Sequence, residues 1–501
     1  MKSFRNWLIF LFGLIILFLF FYFRLKPIIN QTFPYTFDQG RDFLKAEEIM
    51  RYHKPTLLGP TTGINGIFHG VWWYYYLAVL YLFSNGAPQL FAYGIMITTF
   101  LAVFLFAYFL KKNFGLLSAF LFFILITGSS YFIKMSSFAI SSVFEFPFIL
   151  LLFFSFYNFV KSKNPIFGFL VFFSLANIFE VEVPMGLFTI PAFLLSVIFL
   201  NQIKLFFENK KSFFYSLLGF IIPFVPRVIF EIKNGFLQEK AALNLFTHPE
   251  YRVPKVLIDI LKERIEMFFY YFRSLFPFEN IYLIIATLIV TTFAIFIVYK
   301  KLTDNKKMFL KFLLLMLAFL FLLSCIYKGS FWYNYYEGLS FYFALVISIS
   351  VGSTIYSKNR LLKYSSVLLL IIIFIFNILL FKQYISDKSK IPDEGLISHL
   401  KIMDLLAETN KNRDFCVRIY TPPAIPHTYN YLLSYYKKIG KIKNYSNSYI
   451  DNQCFYVIEK DSWQFRIDKF RKEHIPEKAQ LIKKFPVTKN ADIELWHFIT
   501  N

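Results

Sequence analysis

Val71-Trp-Trp-Tyr-Tyr-Tyr-Leu-Ala-Val-Leu-Tyr-Leu-Phe83 is apolar from end to end, yet it is only about 13 residues long, short of the ~20 that carry a helix across a bilayer. Whether it crosses or lies flat decides the topology of everything after it. Before it stands the apolar run 7–23. After it come runs at 89–110, 115–133, 143–160, 166–181, 183–200, 212–232, 279–299, 308–327, 333–356 and 362–382. With 57% hydrophobic and 17% charged residues, the 501-residue chain is too apolar for a soluble protein of that size. The expected fold class is an all-α polytopic membrane protein of about eleven transmembrane helices, with juxtamembrane helices on the outer surface. A small C-terminal α/β extracytoplasmic domain completes it.

The positive-inside rule settles the short run. With the N-terminus inside and 71–83 flat, the inner loops carry Lys111, Lys112, Lys161, Lys163, Lys204, Lys210, Lys211, Lys300, Lys301, Lys306, Lys307, Lys358, Arg360 and Lys363. The short outer loops carry only Lys134 and Lys328. A crossing at 71–83 would reverse that bias. The net charge of +22 is therefore read as membrane orientation rather than as a nucleic-acid surface. The run from Trp7 ends in Tyr22-Phe-Arg24 with no small-residue cleavage site, which reads as an uncleaved first span. The expected location is the plasma membrane, multi-pass, with the N-terminus cytoplasmic. Outside lie 26–88, 233–278 and 384–501. The domains expected are a transmembrane catalytic domain over 1–383 and an extracytoplasmic domain over 384–501.

The loop 233–278 places Leu257, Ile260, Leu261, Ile265, Phe268 and Phe269 at helical spacing between Lys262, Glu263 and Glu266, an amphipathic helix suited to the outer leaflet. In the tail, Ile397–Leu406 reads as a helix, and Phe415–Tyr420, Cys454–Ile458 and Ile493–Ile499 read as strands. Three cysteines are too few for a disulfide framework or a four-thiolate zinc site. Cys416 and Cys454 are free to pair if the tail is outside, though spacing alone does not establish the bond.

Walker A, dinucleotide, HExxH and CxxC motifs are all missing, so neither ATP-driven transport nor redox chemistry has support in motifs. What remains is a group of polar residues near the outer ends of spans. In Phe37-Asp-Gln-Gly-Arg-Asp42, the residues Asp38, Arg41 and Asp42 fall on one face of a helix. Asp38 can act as a general base at the membrane surface, and equally as a helix cap. Arg41, His69, Arg227 and Lys233 can hold a phosphate, while any one of them alone can snorkel to headgroups. Glu180 and Glu182 are acids at the outer end of a span, where such groups often serve function; with Asp42 they are candidates for an acceptor site or second acid. Glu145 reads as solvated. Tyr335 and Tyr336 are candidates for a cavity lining or for an interface belt.

The order of these parts resembles the GT-C glycosyltransferases. The resemblance is to bacterial members of the protein O-mannosyltransferase and lipid A aminoarabinose transferase superfamily. It is carried by Phe37–Asp42, Gly59-Pro60, Gly66–Tyr76 and, more weakly, Pro226–Phe236. It implies a polyprenyl-phosphate sugar donor used on the outer face, Asp38 as base and Arg41 on the phosphate side. His69 matches the place where relatives carry Lys or His before a proline-rich turn, and Gly70-Val71 replaces that proline here. Tyr335-Tyr336 stands where relatives carry a His-Tyr element. The partners implied are that donor, an acceptor on lipid, glycan or protein, and the bilayer, with no nucleic acid. No cofactor is assigned; a divalent metal ion at Asp38, Asp42 and Glu182 is left open. The alternative functions are a lipid-linked oligosaccharide flippase or other transporter, and a glycan polymerase. A flippase would place polar residues at the membrane midplane, whereas here they gather at one face.

Overall fold

The computed structural model describes residues 2–247, 255–327, 331–356, 359–386, 395–410, 413–422 and 425–498. Lys328, Lys358 and Ile499 lie outside the described residues. The first helices are α1 (Lys2–Ile29), α2 (Phe37–Arg51), α3 (Trp72–Ser84), α4 (Pro88–Phe114), α5 (Leu116–Gly128), α6 (Ser130–Met135) and α7 (Phe146–Ser162). Then follow α8 (Pro165–Val181), α9 (Val183–Phe199), α10 (Lys204–Phe207), α11 (Lys210–Lys233), α12 (Leu237–Thr247), α13 (Leu257–Arg273) and α14 (Ile281–Tyr299). The last are α15 (Asp304–Ile326), α16 (Leu339–Gly352), α17 (Arg360–Ser386), α18 (Leu396–Asn410), α19 (His427–Lys438) and α20 (Gln464–His474). Five strands belong to the tail: β1 (Phe415–Tyr420), β2 (Tyr445–Ser446), β3 (Gln453–Glu459), β4 (Ala479–Pro486) and β5 (Ala491–Phe498).

The chain forms two compact units. The first comprises Met1–Leu25, Thr56–Tyr75 and Gly94–Asp387, and the second Lys26–Pro55, Tyr76–Tyr93 and Lys388–Asn501. The second unit thus takes in α2, assigned from sequence to the transmembrane domain, together with the C-terminal domain.

Among the described residues, seven helices of the chain are long and apolar enough to cross a membrane: Asn6–Ile29, α4, Ser141–Ser162, α11, α14, α15 and α17. Shorter apolar helices occupy α5, α8, α9 and Leu339–Ile355. These are the eleven apolar runs of the sequence, and the chain is a multi-pass membrane protein. The lipid-facing sides are plain in the first unit. Ile221, Val225 and Val228 of α11, Leu288, Phe293 and Phe296 of α14, and Leu368, Ile371 and Ile375 of α17 are all exposed. Rows of that kind suit hydrocarbon and would be an aggregation hazard in water. By contrast α5 and α16, which pack on each other, are buried on nearly every side.

Helix ends buried in the protein leave carbonyls without intrahelical partners, and these need donors. Two buried arginines supply them. Arg24 of α1 donates from Nη2 to Ile126 O (2.7 Å) and from Nη1 to Thr127 O (3.2 Å), at the end of α5. Its Nε reaches Ser136 Oγ at 3.1 Å, and its guanidinium lies 3.7 Å from the Phe20 ring centroid. Arg264 of α13 does the same for the end of α15, donating to Ser324 O and Tyr327 O at 3.2 Å each.

In the second unit the sheet order is β2-β1-β3-β5-β4. β1 runs parallel to β2 and β3, and β5 runs antiparallel to β3 and β4. The register sets Val417 opposite Phe455, which brings the preceding pair, Cys416 and Cys454, to 4.5 Å between Cα atoms, and the two are joined by a disulfide. They lie in an apolar core with Tyr420, Tyr456, Ile458 and Ile467.

Candidate functional site

α2 begins where Thr36 stops the preceding extended chain. The Thr36 amide donates to Gln39 Oε1 at 3.0 Å, the reciprocal half of a capping box. The helix is anchored in the second unit by its apolar face. Phe43 stacks on Phe91 with ring centroids 4.0 Å apart and meets Tyr431 of α19 edge-on at 5.4 Å. Its far end is tied by Glu47, whose Oε2 accepts from Ser434 Oγ of α19 at 2.8 Å. At Gly40 the backbones approach so closely that a Cβ would collide with the backbone of His427 and Thr428. Glycine is the residue that permits this approach.

This seating presents the first turn of α2 as a charged corner. Arg41 donates from Nη1 to Asp38 Oδ1 at 2.9 Å and from Nε to Asp42 Oδ1 at 2.8 Å. The two carboxylates differ sharply. The Asp42 side chain is 1% exposed and that of Asp38 is 57% exposed. A carboxylate held at one oxygen and open to solvent can take a proton from a hydroxyl that reaches it. His427, at the start of α19, borders the same corner. Its ring meets the Phe37 ring at 4.7 Å, and its Nδ1 is buried with no hydrogen-bond partner. Burial first, and the Arg41 charge second, lower its pKa, with Asp38 pulling the other way.

The remaining sequence candidates lie in the first unit. The loop 59–70 folds back on itself: Gly59 N donates to His69 O at 3.0 Å, His69 N to Pro60 O at 2.8 Å, and Thr62 N to Ile67 O at 3.1 Å. Its end is docked on α8. The Gly70 amide donates to Glu180 O, and a Cβ on Gly70 would strike the Glu180 side chain. Val183 N donates to His69 Nδ1 at 3.4 Å, and Trp72 Nε1 to Pro223 O of α11 at 2.8 Å. The packing of α8 on α11 includes the ring pairs Phe172–Phe220 (6.2 Å) and Phe179–Phe224 (5.5 Å). It brings Arg227 to Glu180, Nε to Oε1 at 2.5 Å. From Nη1, Arg227 also donates to Phe68 O (3.1 Å) and to Gln238 Oε1 (2.7 Å). Gln238 of α12 closes the network. It accepts from Phe68 N at 2.9 Å and donates from Nε2 to Glu231 Oε1 at 2.6 Å. Nη2 of Arg227 and Oε2 of Glu180 are left buried without a partner. Lys233 is exposed at the end of α11.

A third cluster, also in the first unit, is acidic. Glu182 is buried at the junction of α8 and α9, and Glu145, read from sequence as solvated, is wholly buried. Glu337 is buried beside them, and Glu145 interacts electrostatically with both Glu182 and Glu337. Both carboxylate oxygens of Glu145 and Oε2 of Glu337 have no hydrogen-bond partner, while Tyr131 OH donates to Glu337 O. Tyr335 interacts electrostatically with Glu182, and Tyr336 is buried, donating to Leu320 O at 3.0 Å. Among the described residues no three His, Cys, Asp or Glu side chains form a metal-holding group.

Neither a family model nor a curated protein matches the chain. Solved structures do. ArnT from Cupriavidus metallidurans in the apo state aligns with a TM-score of 0.59, at 8% identity, over 98% of each chain. The same protein bound to undecaprenyl phosphate aligns with a TM-score of 0.58, also at 8% identity over 98% of each chain. The chain has the ArnT fold. At that identity the likeness is one of fold, and that fold is the one the resemblance read from the sequence implies. The residues that sequence reasoning passed over are His427 and Gln238. A lone histidine and a lone glutamine carry no motif. Glu337 had one signal, its place at the end of Tyr333-Asn-Tyr-Tyr-Glu337, an acid at the mouth of an apolar run.

Proposed function

We propose that the protein is an integral-membrane glycosyltransferase. It moves a sugar from a polyprenyl-phosphate donor to an acceptor hydroxyl on the outer face of the membrane. The observation that carries this reading is the exposed Asp38 carboxylate held by Arg41 on α2, in a chain with the fold of a protein captured with undecaprenyl phosphate.

The chemistry follows from the residues. A hydroxyl is a weak nucleophile, and Asp38 takes its proton as the bond to the anomeric carbon forms. The lipid phosphate leaves with the bonding electrons, and cations neutralise the charge it gains. Arg41 supplies one such cation. In the first unit, Lys233 and the unpartnered Nη2 of Arg227 are the cations able to meet an anionic group, since a buried N–H left without an acceptor costs about 1–3 kcal/mol until a ligand meets it, while His69, whose Nδ1 accepts from Val183 N, is there as a neutral ring. Single displacement inverts the anomeric centre. Glu180 orients Arg227, and Asp42 orients Arg41. Glu182 and Tyr335, which interact in the first unit, stay candidates for a second acid and a cavity lining there. The Cys416–Cys454 disulfide suits an oxidising compartment. This agrees with a C-terminal domain outside the plasma membrane and a cytoplasmic N-terminus.

The test is transfer of radiolabelled sugar from undecaprenyl-phosphate donors to a membrane extract by purified full-length protein. Asp38→Asn is compared with wild type at equal folded yield. Loss of roughly 100-fold or more, with undecaprenyl phosphate still bound, is expected of a general base. Equal transfer by both proteins sinks the assignment of Asp38.

A further inference from the structure

The C-terminal domain has no part in the chemistry proposed so far. Its helix α19 nevertheless begins against the first turn of α2. Gly40 of α2 touches the backbone of His427 and Thr428 with no room for a side chain. Tyr35, just ahead of α2, donates from its hydroxyl to Thr428 O at 3.1 Å. The His427 ring then closes on Phe37 at 4.7 Å, one residue before Asp38. The charged groups that face this imidazole are Asp38 and Arg41, both on α2.

We infer that His427 is a positioning residue for the Asp38–Arg41 corner, by which the C-terminal domain sets the geometry of the proposed base. This rests on the function proposed above. Three contacts support it: the backbone seat at Gly40, the ring edge on Phe37 and the electrostatic reach to both charges. A side chain that only filled space would need no polar atom here. His427 instead buries Nδ1 without a partner, an arrangement that is costly unless the group has a use. Neutral, the imidazole leaves Arg41 divided between Asp38 and Asp42. Protonated, it places a second cation beside Arg41 and competes for Asp38. The burial and the Arg41 charge that lower its pKa keep it neutral near pH 7.

The experiment uses the full chain with His427→Phe, which keeps the ring contact, and His427→Asn, which keeps a hydrogen-bonding group. In the transfer assay, kcat is expected to fall roughly tenfold in H427F with KM for the donor little changed, because a misplaced base slows chemistry more than binding. H427N is expected to recover part of that loss, and both variants are expected to lose one step from the acid limb of the pH–rate profile. A second readout needs no turnover: a double-mutant cycle on the thermal midpoint between His427→Phe and Asp38→Asn, at about pH 5.5 and about pH 7.5. Coupling that appears at the lower pH and fades at the higher is expected. Unchanged kcat and pH profile in both variants overturns the inference, as does a cycle with no coupling at either pH. If wild type transfers from no donor, the proposed function fails, and the cycle still decides whether His427 answers to Asp38.

Discussion

Two arginine–carboxylate pairs stand at the centre of the molecule's polar chemistry, one in each unit. Arg41–Asp38 on α2 leaves its carboxylate 57% exposed, and Arg227–Glu180 between α11 and α8 leaves its carboxylate 1% exposed. By charge and distance they are alike, at 2.9 Å and 2.5 Å. By environment they are opposites. An exposed pair adds little to stability, since water screens it and solvates both ions. A buried pair is costly to break from one side, because the remaining ion is stranded. The first therefore leaves its carboxylate open to solvent, as the proposed function requires, and the second holds the loop 59–70 on α8.

The contrast can be broken at either end. The largest effect expected is on Asp38: D38N lowers transfer roughly 100- to 10⁴-fold, while the thermal midpoint at about pH 7.5 stays within error of wild type. A large fall in the midpoint would show the exposed pair to be structural after all. Next in size is Arg227→Met, which strands Glu180. Stability measured by denaturation in detergent is expected to drop by roughly 3–5 kcal/mol. The double change Arg227→Met with Glu180→Gln is expected to recover most of it, and no recovery would detach Glu180 from the effect. Gln238→Leu removes one acceptor shared by Phe68 N and Arg227 and one donor to Glu231. The expected loss is about 1–3 kcal/mol, with faster proteolysis within residues 56–70 as the local sign. An unchanged cleavage rate there would leave Gln238 outside the latch.

The effect smallest over any single pH unit is a pH dependence in the unit that holds Asp38. Burial lowers the pKa of His399 to about 4, below its ordinary value of 6.5, while its Nδ1 sits 3.1 Å from Gly395 O. The unfolded chain therefore binds a proton between those two values that the folded unit refuses. Stability is full above about pH 6.5 and falls as pH drops toward 4, by roughly 1 kcal/mol per unit. His399→Phe is expected to flatten that slope in a thermal melt between about pH 4 and 7. A slope unchanged in the variant would assign the acid sensitivity to other groups.

Much of this was readable in the order of residues. Apolar runs marked every span because a bilayer demands length and composition, and both are one-dimensional. The short run at 71–83 became α3, and Leu257–Phe269 became part of α13. In the tail, β1, β3, β5 and α18 followed from their apolar patterns. The strand β4 did not, since Lys483 and Lys484 interrupt its alternation and a register shift falls between Leu481 and Lys483. Nor did α19, whose many tyrosines suit strand as well as helix. At the site, Asp38, Arg41 and Asp42 were legible as a group because one turn of helix joins them. Arg227 and Glu180 were seen singly, and their pairing was not, for 47 residues separate them. Gln238 reaches Phe68 across 170 residues, a distance over which sequence spacing carries no information.

The two buried arginines at helix ends bear on how the chain is made. A ribosome delivers the N-terminal part first. Arg24 has already emerged when the carbonyls of Ile126 and Thr127 follow, and Arg264 precedes those of Ser324 and Tyr327. Each of these helix ends is thus made after the residue that donates to it, so the order of synthesis and the order of need coincide.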